Sequence, residues 1–352
     1  MKLVLLVSAV FIIGAAQAMP AGAATASVGP PNSFDQVTIH YVADPGETND
    51  VSFQFGPSFD SIEITDSGST ISAGSGCSSV NPNTVRCDAM DEPPLINASL
   101  GDGNDLLLIS RGLQTAGGRL RGGGGDDRIR GNDFSGTHEQ LIGGPGDDSL
   151  FGRGGTDFLD GGLGSDEMSG GTSCFGLTAG LCIIDIDTVS YAKRTKNVLA
   201  DADDHDLDDG QRFEGDTIFA DVERLVGGRG NDRLAGSTTN LFFVDGPRLG
   251  GMQLQGRRGD DVLIGTRGTD NLAGGTGNDN LRGAGRNDLL QGMKGDDRLL
   301  GGPGTDQLVG ARGRDLLLAN DGQLDRVGGG QGRDKARVDL GLDHVQSIEE
   351  LF

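Results

Sequence analysis

From Gly256 to Leu318 the chain repeats every nine residues without a gap. The units read GRRGDDVLI, GTRGTDNLA, GGTGNDNLR, GAGRNDLLQ, GMKGDDRLL, GGPGTDQLV and GARGRDLLL. Position one is always glycine and position eight always leucine, from Leu263 and Leu272 through to Leu317. Position six is always aspartate: Asp261, Asp270, Asp279, Asp288, Asp297, Asp306 and Asp315. A period this short leaves few folds open. The final x-Leu-x of each unit is a very short strand with one side chain facing inward. The first six residues carry too much glycine for a helix, and glycine there permits positive φ and a tight turn. Each nonapeptide is therefore half a coil, and units n and n+2 stack on the same side. The leucines line up into a thin core that no single unit can bury alone, so stacking is obligatory.

A shorter block lies upstream: GGGGDDRIR from Gly122, GGPGDDSLF from Gly143, GRGGTDFLD from Gly152 and GGLGSDEMS from Gly161. Its sixth positions are Asp127, Asp148, Asp157 and Asp166. Isolated copies are GDGNDLLL at Gly101, GGRGNDRLA at Gly227 (with Asp232) and the degenerate GGQGRDKAR at Gly329. Stacked coils would place sixth-position carboxylates about 4.7–4.9 Å apart, the strand spacing. Bare carboxylates at that distance repel. A hard divalent cation relieves the repulsion, and calcium accepts both carboxylates and the backbone carbonyls that glycine turns expose. Magnesium demands a stricter octahedron. The expected ligands are Asp127, Asp148, Asp157, Asp166, Asp232, Asp261, Asp270, Asp279, Asp288, Asp297, Asp306 and Asp315.

The pattern GGxGxDxUx, with U large and apolar, resembles the RTX or haemolysin-type calcium-binding repeat of secreted bacterial proteins. The resemblance covers about 122–169 and 227–339 and implies a right-handed parallel β-roll with several calcium ions held between adjacent turns. DTVSYAKRT from Asp187 and DTIFADVERLVGGRGNDRL from Asp216 resemble linkers of that family. Arg286 departs from it at a fourth-position glycine, and Arg257, Arg258, Arg267, Arg312 and Arg314 also stand in turns. Arg–Asp pairs are expected to hold some turns in place of calcium.

The remaining sequence frames this roll. The net charge is −23, from 52 acids against 29 lysines and arginines, which argues against nucleic acid as a partner. Lys2 followed by the apolar run Leu3–Ala16 reads as an export signal. It is placed at 1–26, with small-residue cleavage patterns at Ala16-Gln17-Ala18, Ala21-Gly22-Ala23 and Ala24-Thr25-Ala26. No later stretch is long enough to cross a membrane as a helix. Cys77 with Cys87, and Cys174 with Cys182, read as small-loop disulfides of an oxidising, extracellular compartment; zinc is the alternative, without CxxC spacing.

Residues 27–98 alternate in the manner of short strands and are expected to form a β-rich N-terminal cap. Repeat blocks then occupy 99–173 and 227–340. Between them, 174–226 is an acidic, disulfide-bearing connection, whose run Asp201, Asp203, Asp204, Asp206, Asp208 and Asp209 is expected to be a solvated loop, with a looser calcium-binding loop as the alternative. Its Asp204-x-Asp206-x-Asp208 begins like an EF-hand, but Asp209 takes the turn-glycine place and Gly215 the place of the bidentate glutamate. Residues 341–352, with Leu342, Val345, Ile348, Leu351 and Phe352, are expected to pack as a C-terminal cap. HExxH and GxSxG are absent, the four histidines are scattered, and paired acids such as Asp260 and Asp261 belong to the regular array. The chain is therefore expected not to be an enzyme. The alternatives are a β-helical lyase, epimerase or hydrolase acting on polysaccharide, and an adhesin with a cell-surface or glycan partner.

Overall fold

The computed structural model describes residues 23–33, 36–57, 60–88, 92–171, 185–203, 208–236, 242–243, 246–247 and 250–352. The leader's first 22 residues, both Cys174 and Cys182, and Asp204 and Asp206 lie outside them. The described residues form strands and turns without helix. A sheet of 15 strands runs the length of the molecule. Two sheets of nine strands face it, one over the N-terminal half and one over the C-terminal half. Most pairings are parallel, as expected of the roll.

Registers of 18 residues join alternate nonapeptides. Leu254, Leu272, Leu290 and Leu308 are successive partners in the long sheet. Leu263, Leu281, Leu299 and Leu317 are partners in the sheet opposite. All eight are 0% exposed. Two nonapeptides thus make one coil, and the single inward side chain of each half meets its counterpart across a core one residue thick. The same row continues upstream through Leu225, Val189, Leu159, Leu141, Leu120 and Ala98 to Tyr41.

Residues 185–203 and 208–226 are not a connection outside the roll. Thr188–Ser190 lies between Phe158–Leu163 and Arg224–Val226 in the long sheet. Thr217–Ile218 ends the N-terminal facing sheet against Glu167–Gly171, and Val198–Asp201 begins parallel pairing with Arg233–Ala235 in the C-terminal one. Asp209, expected to be solvated, is 3% exposed, and Asp216 is 0% exposed. The segment is where the chain exchanges one facing sheet for the other.

The roll also extends further toward the N-terminus than the nonapeptides do. Thr38–Val42 and Asp50–Phe55 pair in parallel with Leu95–Asp102 and Leu106–Ile109, making a coil without the motif. Beyond them the long sheet adds Ala24–Val28, antiparallel, and ends at Ile71–Ala73, while the facing sheet adds the antiparallel strands Ser61–Asp66, Thr84–Asp88 and Cys77–Asn81. A disulfide joins Cys77 and Cys87 across neighbouring strands. Ala24 and Ala26, inside the segment assigned to the leader, are 0% exposed. At the other end His344–Gln346 and Glu350–Leu351 finish the two sheets, but Leu342, Leu351 and Phe352 are exposed rather than packed.

Replacing Leu290 by Ala should destabilise the roll by about 2–5 kcal/mol, because a one-residue-thick core has no second layer to collapse into the cavity. Denaturant unfolding against the wild type checks this, and Leu289→Ala on the outer face should cost far less.

Candidate metal centre

Every expected ligand sits on one of three buried ladders. In each ladder the backbone N–H of an acid (Asn49 at the first rung) donates to a carboxylate oxygen of the acid one coil further on, over 2.7–3.1 Å. The first runs Asn49, Asp105, Asp127, Asp148, Asp166 and Asp216. The second runs Glu139, Asp157, Asp187 and Glu223, then Asp270, Asp288, Asp306, Asp325 and Asp343. The third runs Asp232, Asp261, Asp279, Asp297, Asp315, Asp334 and Glu349. Each carbonyl in turn accepts from the residue after the next coil's acid, as Asp261 does from Asn280.

Ladder members that no nonapeptide copy supplied are Asn49, Glu139, Asp187, Asp216, Glu223, Asp325, Asp343 and Glu349, while Asp105 and Asp334 stand in the isolated copies at Gly101 and Gly329 but were not among the expected ligands. The signal shared by the acids among them is simpler than the repeat: an acid, one residue, then an inward apolar side chain. Glu139-x-Leu141, Asp187-x-Val189, Asp216-x-Ile218 and Glu223-x-Leu225 all fit. Asp325 escaped because one inserted residue sets it 19, not 18, after Asp306.

Position-one glycine serves the carboxylate rather than the turn. Gly274, Gly292 and Gly310 are not at positive φ. A Cβ added at Gly274 would overlap Oδ2 of Asp279, and the same holds at Gly292 with Asp297 and Gly310 with Asp315. The left-handed conformation belongs to positions two and four, where Arg257, Ala284 and Met293 at position two, and Arg286 at position four, adopt it despite their side chains. Ordinary residues pay about 1–2 kcal/mol for it.

While one oxygen of each carboxylate holds the ladder, the other lacks a partner. Oδ2 of Asp127, Asp148, Asp157, Asp166, Asp261, Asp279, Asp288, Asp297, Asp306 and Asp315 is buried without a hydrogen bond. Burial is the main force raising their pKa, the ladder N–H opposes it, and neighbouring acids add to it. Asp261, Asp297, Asp306 and Asp315 rise to about 6. Asp127, Asp148 and Asp279 rise to about 7, and Asp166 and Asp288 to about 8. An anion buried this way requires a cation or a proton.

Calcium fits the donor set. Among the described residues no three His, Cys, Asp or Glu side chains converge on one point, so carboxylates alone do not make a cage. The turns supply what is missing: carbonyl oxygens of Arg257 and Gly259 lie against Gly275 and Gly277 of the next coil, where an added Cβ would collide with them. Unpartnered carboxylate oxygens beside stacked carbonyls are a hard, oxygen-rich environment of the kind calcium takes. Arginine does not substitute at the ladder. Arg314 pairs at 2.5 Å with Asp296, an exposed fifth-position acid. Asp296 belongs to a second, outer row in which Asn231, Asp260, Asn278 and Asp296 also accept N–H groups from the next coil.

The raised pKa values fix the sign of a pH effect. A carboxylate with a folded pKa of about 6–8 and an unfolded value near 3.9 binds protons more tightly when folded. Its stabilising protonation is complete below about pH 4 and is lost as pH rises through 6–8. In chelator, the melting temperature should therefore fall by more than about 5 °C between pH 5 and pH 8. A flat profile in thermal melts would contradict the buried-anion reading.

The profile of one family, the RTX calcium-binding nonapeptide repeat (4 copies), matches residues 117–133, 135–168, 217–240, 253–281 and 282–317. No curated protein matches the chain. The match at 217–240 reaches across the sheet exchange to Asp232, in keeping with the ladders there. The chain carries RTX calcium-binding nonapeptide repeats, and both of its repeat blocks are members of that repeat family.

Proposed function

We propose that the chain is an exported, non-catalytic scaffold whose β-roll is completed by calcium held between stacked turns. The observation that carries this reading is the set of ten repeat aspartates whose second carboxylate oxygen is buried and unpartnered. The residues that would hold the ion are these aspartates and the turn carbonyls beneath the position-two and position-four glycines. Bound there, calcium supplies the positive charge that the buried carboxylates lack. Where calcium is scarce the acidic, glycine-rich chain stays open, and where it is abundant the coils stack.

Export is supported by the apolar leader and by the Cys77–Cys87 disulfide. Of the three cleavage patterns, a cut after Ala18 leaves Ala24–Val28 whole, whereas a cut after Ala26 removes two core alanines. A groove of about 590 Å³ on the outer face of the long sheet is lined by side chains including His40, Asn97, Arg119, Arg121, His138 and Gln140.

Circular dichroism of the mature chain should gain β-structure on adding calcium at about 10⁻⁴–10⁻³ M, the range of extracellular modules. Calorimetric titration of Asp279→Ala/Asp297→Ala should show fewer ions bound. An identical fold in excess chelator, with no heat of calcium binding, would overturn the reading.

A further inference from the structure

The twelve expected ligands are not equivalent. In ten of their turns, positions two and four both lie at positive φ, as in Gly275 with Gly277 and Ala284 with Arg286. In the turns of Asp232 and Asp270 neither position does: Gly228, Gly230, Thr266 and Gly268 are all outside the left-handed region. The backbone amide of position two then faces inward. Gly228 N–H donates to Oδ2 of Asp232 at 2.6 Å, and Thr266 N–H donates to Oδ2 of Asp270 at 2.6 Å. The Thr266 hydroxyl adds a bond to Asp270 at 3.0 Å and accepts from Gly268 N–H at 2.9 Å. Oδ1 of both aspartates is already taken, by the N–H groups of Val198 and Met252. These two are the members of the twelve whose Oδ2 is not left unpartnered.

Both positions have a common place in the fold. Asp232 is the first acid of the third ladder, and Asp270 the first aspartate of the second ladder after the sheet exchange. The half-coil beneath Asp232 is Ala192-Lys193-Arg194-Thr195-Lys196-Asn197, which has no glycine and no motif. Met252, beneath Asp270, likewise follows no nonapeptide register. A cation between stacked turns needs carbonyls from both. In these two turns the position-two amide closes on the aspartate instead. Opening it for an ion would break a charge-assisted hydrogen bond and drive Thr266, a β-branched residue, into a conformation such residues avoid.

We propose that the Asp232 and Asp270 turns are metal-free latches: they take no calcium, and they start the two ladders of the second repeat block from turns that close without an ion. This rests on the reading that the other ten aspartates hold calcium. Thr266 is the specificity-determining residue at the second latch.

The test uses the full mature chain. Calorimetric calcium titration should leave stoichiometry unchanged and affinity within about twofold in Asp232→Asn and Asp270→Asn, and lower the stoichiometry in Asp279→Asn. In chelator the order reverses: Asp270→Asn lowers the melting temperature, while Asp279→Asn, which removes an unpartnered buried charge, does not. Loss of sites in Asp232→Asn or Asp270→Asn comparable to Asp279→Asn overturns the proposal. Should either variant fail to fold, hydrogen exchange on the wild type decides. As calcium is withdrawn, the Gly228 and Thr266 amides should lose protection after those of Arg257 and Gly275; earlier or simultaneous loss refutes the latch. Absence of any binding to the wild type would instead strike the calcium reading, with exchange in chelator still judging the latches.

Discussion

A single hydrogen bond organises this molecule: the amide of one buried acid donating to the carboxylate of the next, coil after coil. It sets the axial spacing, because the donor and acceptor must lie one strand apart. It also aims each aspartate back down the stack, over a glycine that has no Cβ to obstruct it. The core adds little shape of its own, being one side chain thick. Leucine burial supplies the driving force, and the ladder decides the register in which it is spent.

The same bond creates an electrostatic problem. It satisfies one oxygen of each carboxylate and buries the other. A chain with 52 acidic residues against 29 lysines and arginines has few cations to spare, and the arginine ion pairs among the described residues fall on the outer-row Asp296 and on Glu63, Asp133 and Glu214. The unpartnered oxygens are therefore a built-in demand for an external positive charge. That demand is absent where the protein meets it internally. Tyr191 donates to Asp216 at the end of the first ladder, and Tyr41, beside Asn49 at its beginning, donates to Asp66. The chain's two tyrosines thus close the ends of the first ladder.

The sheet exchange between the blocks shows how a solenoid can change partners without breaking. The long sheet passes through it uninterrupted, carrying Val189 and Leu225 in its inner row. Only the facing sheet is replaced. Acids on both sides stay in register because Asp187, Asp216 and Glu223 occupy ladder positions without belonging to any nonapeptide.

Much of this was legible in the residues. Nine-residue periodicity determined a parallel roll, the inward leucines and the stacking of sixth-position aspartates, since a period of half a coil admits no other way to bury one apolar side chain per unit. The acid-x-apolar signal of Asp187, Asp216 and Glu223 was equally present but had no period to reveal it. What only the tertiary structure decided was which atoms are left over. Whether the second carboxylate oxygen meets an amide or nothing depends on the backbone of its own turn: with positions two and four at positive φ it meets none, and in the turns of Asp232 and Asp270 the position-two N–H reaches it. Asp232 and Asp270 stand in the same G-x-x-G-x-D pattern as their neighbours, and only Thr266, β-branched at position two, marks one of the two turns in the sequence. The pattern leaves φ at positions two and four open, because glycine takes either sign, and the folded stack fixes it.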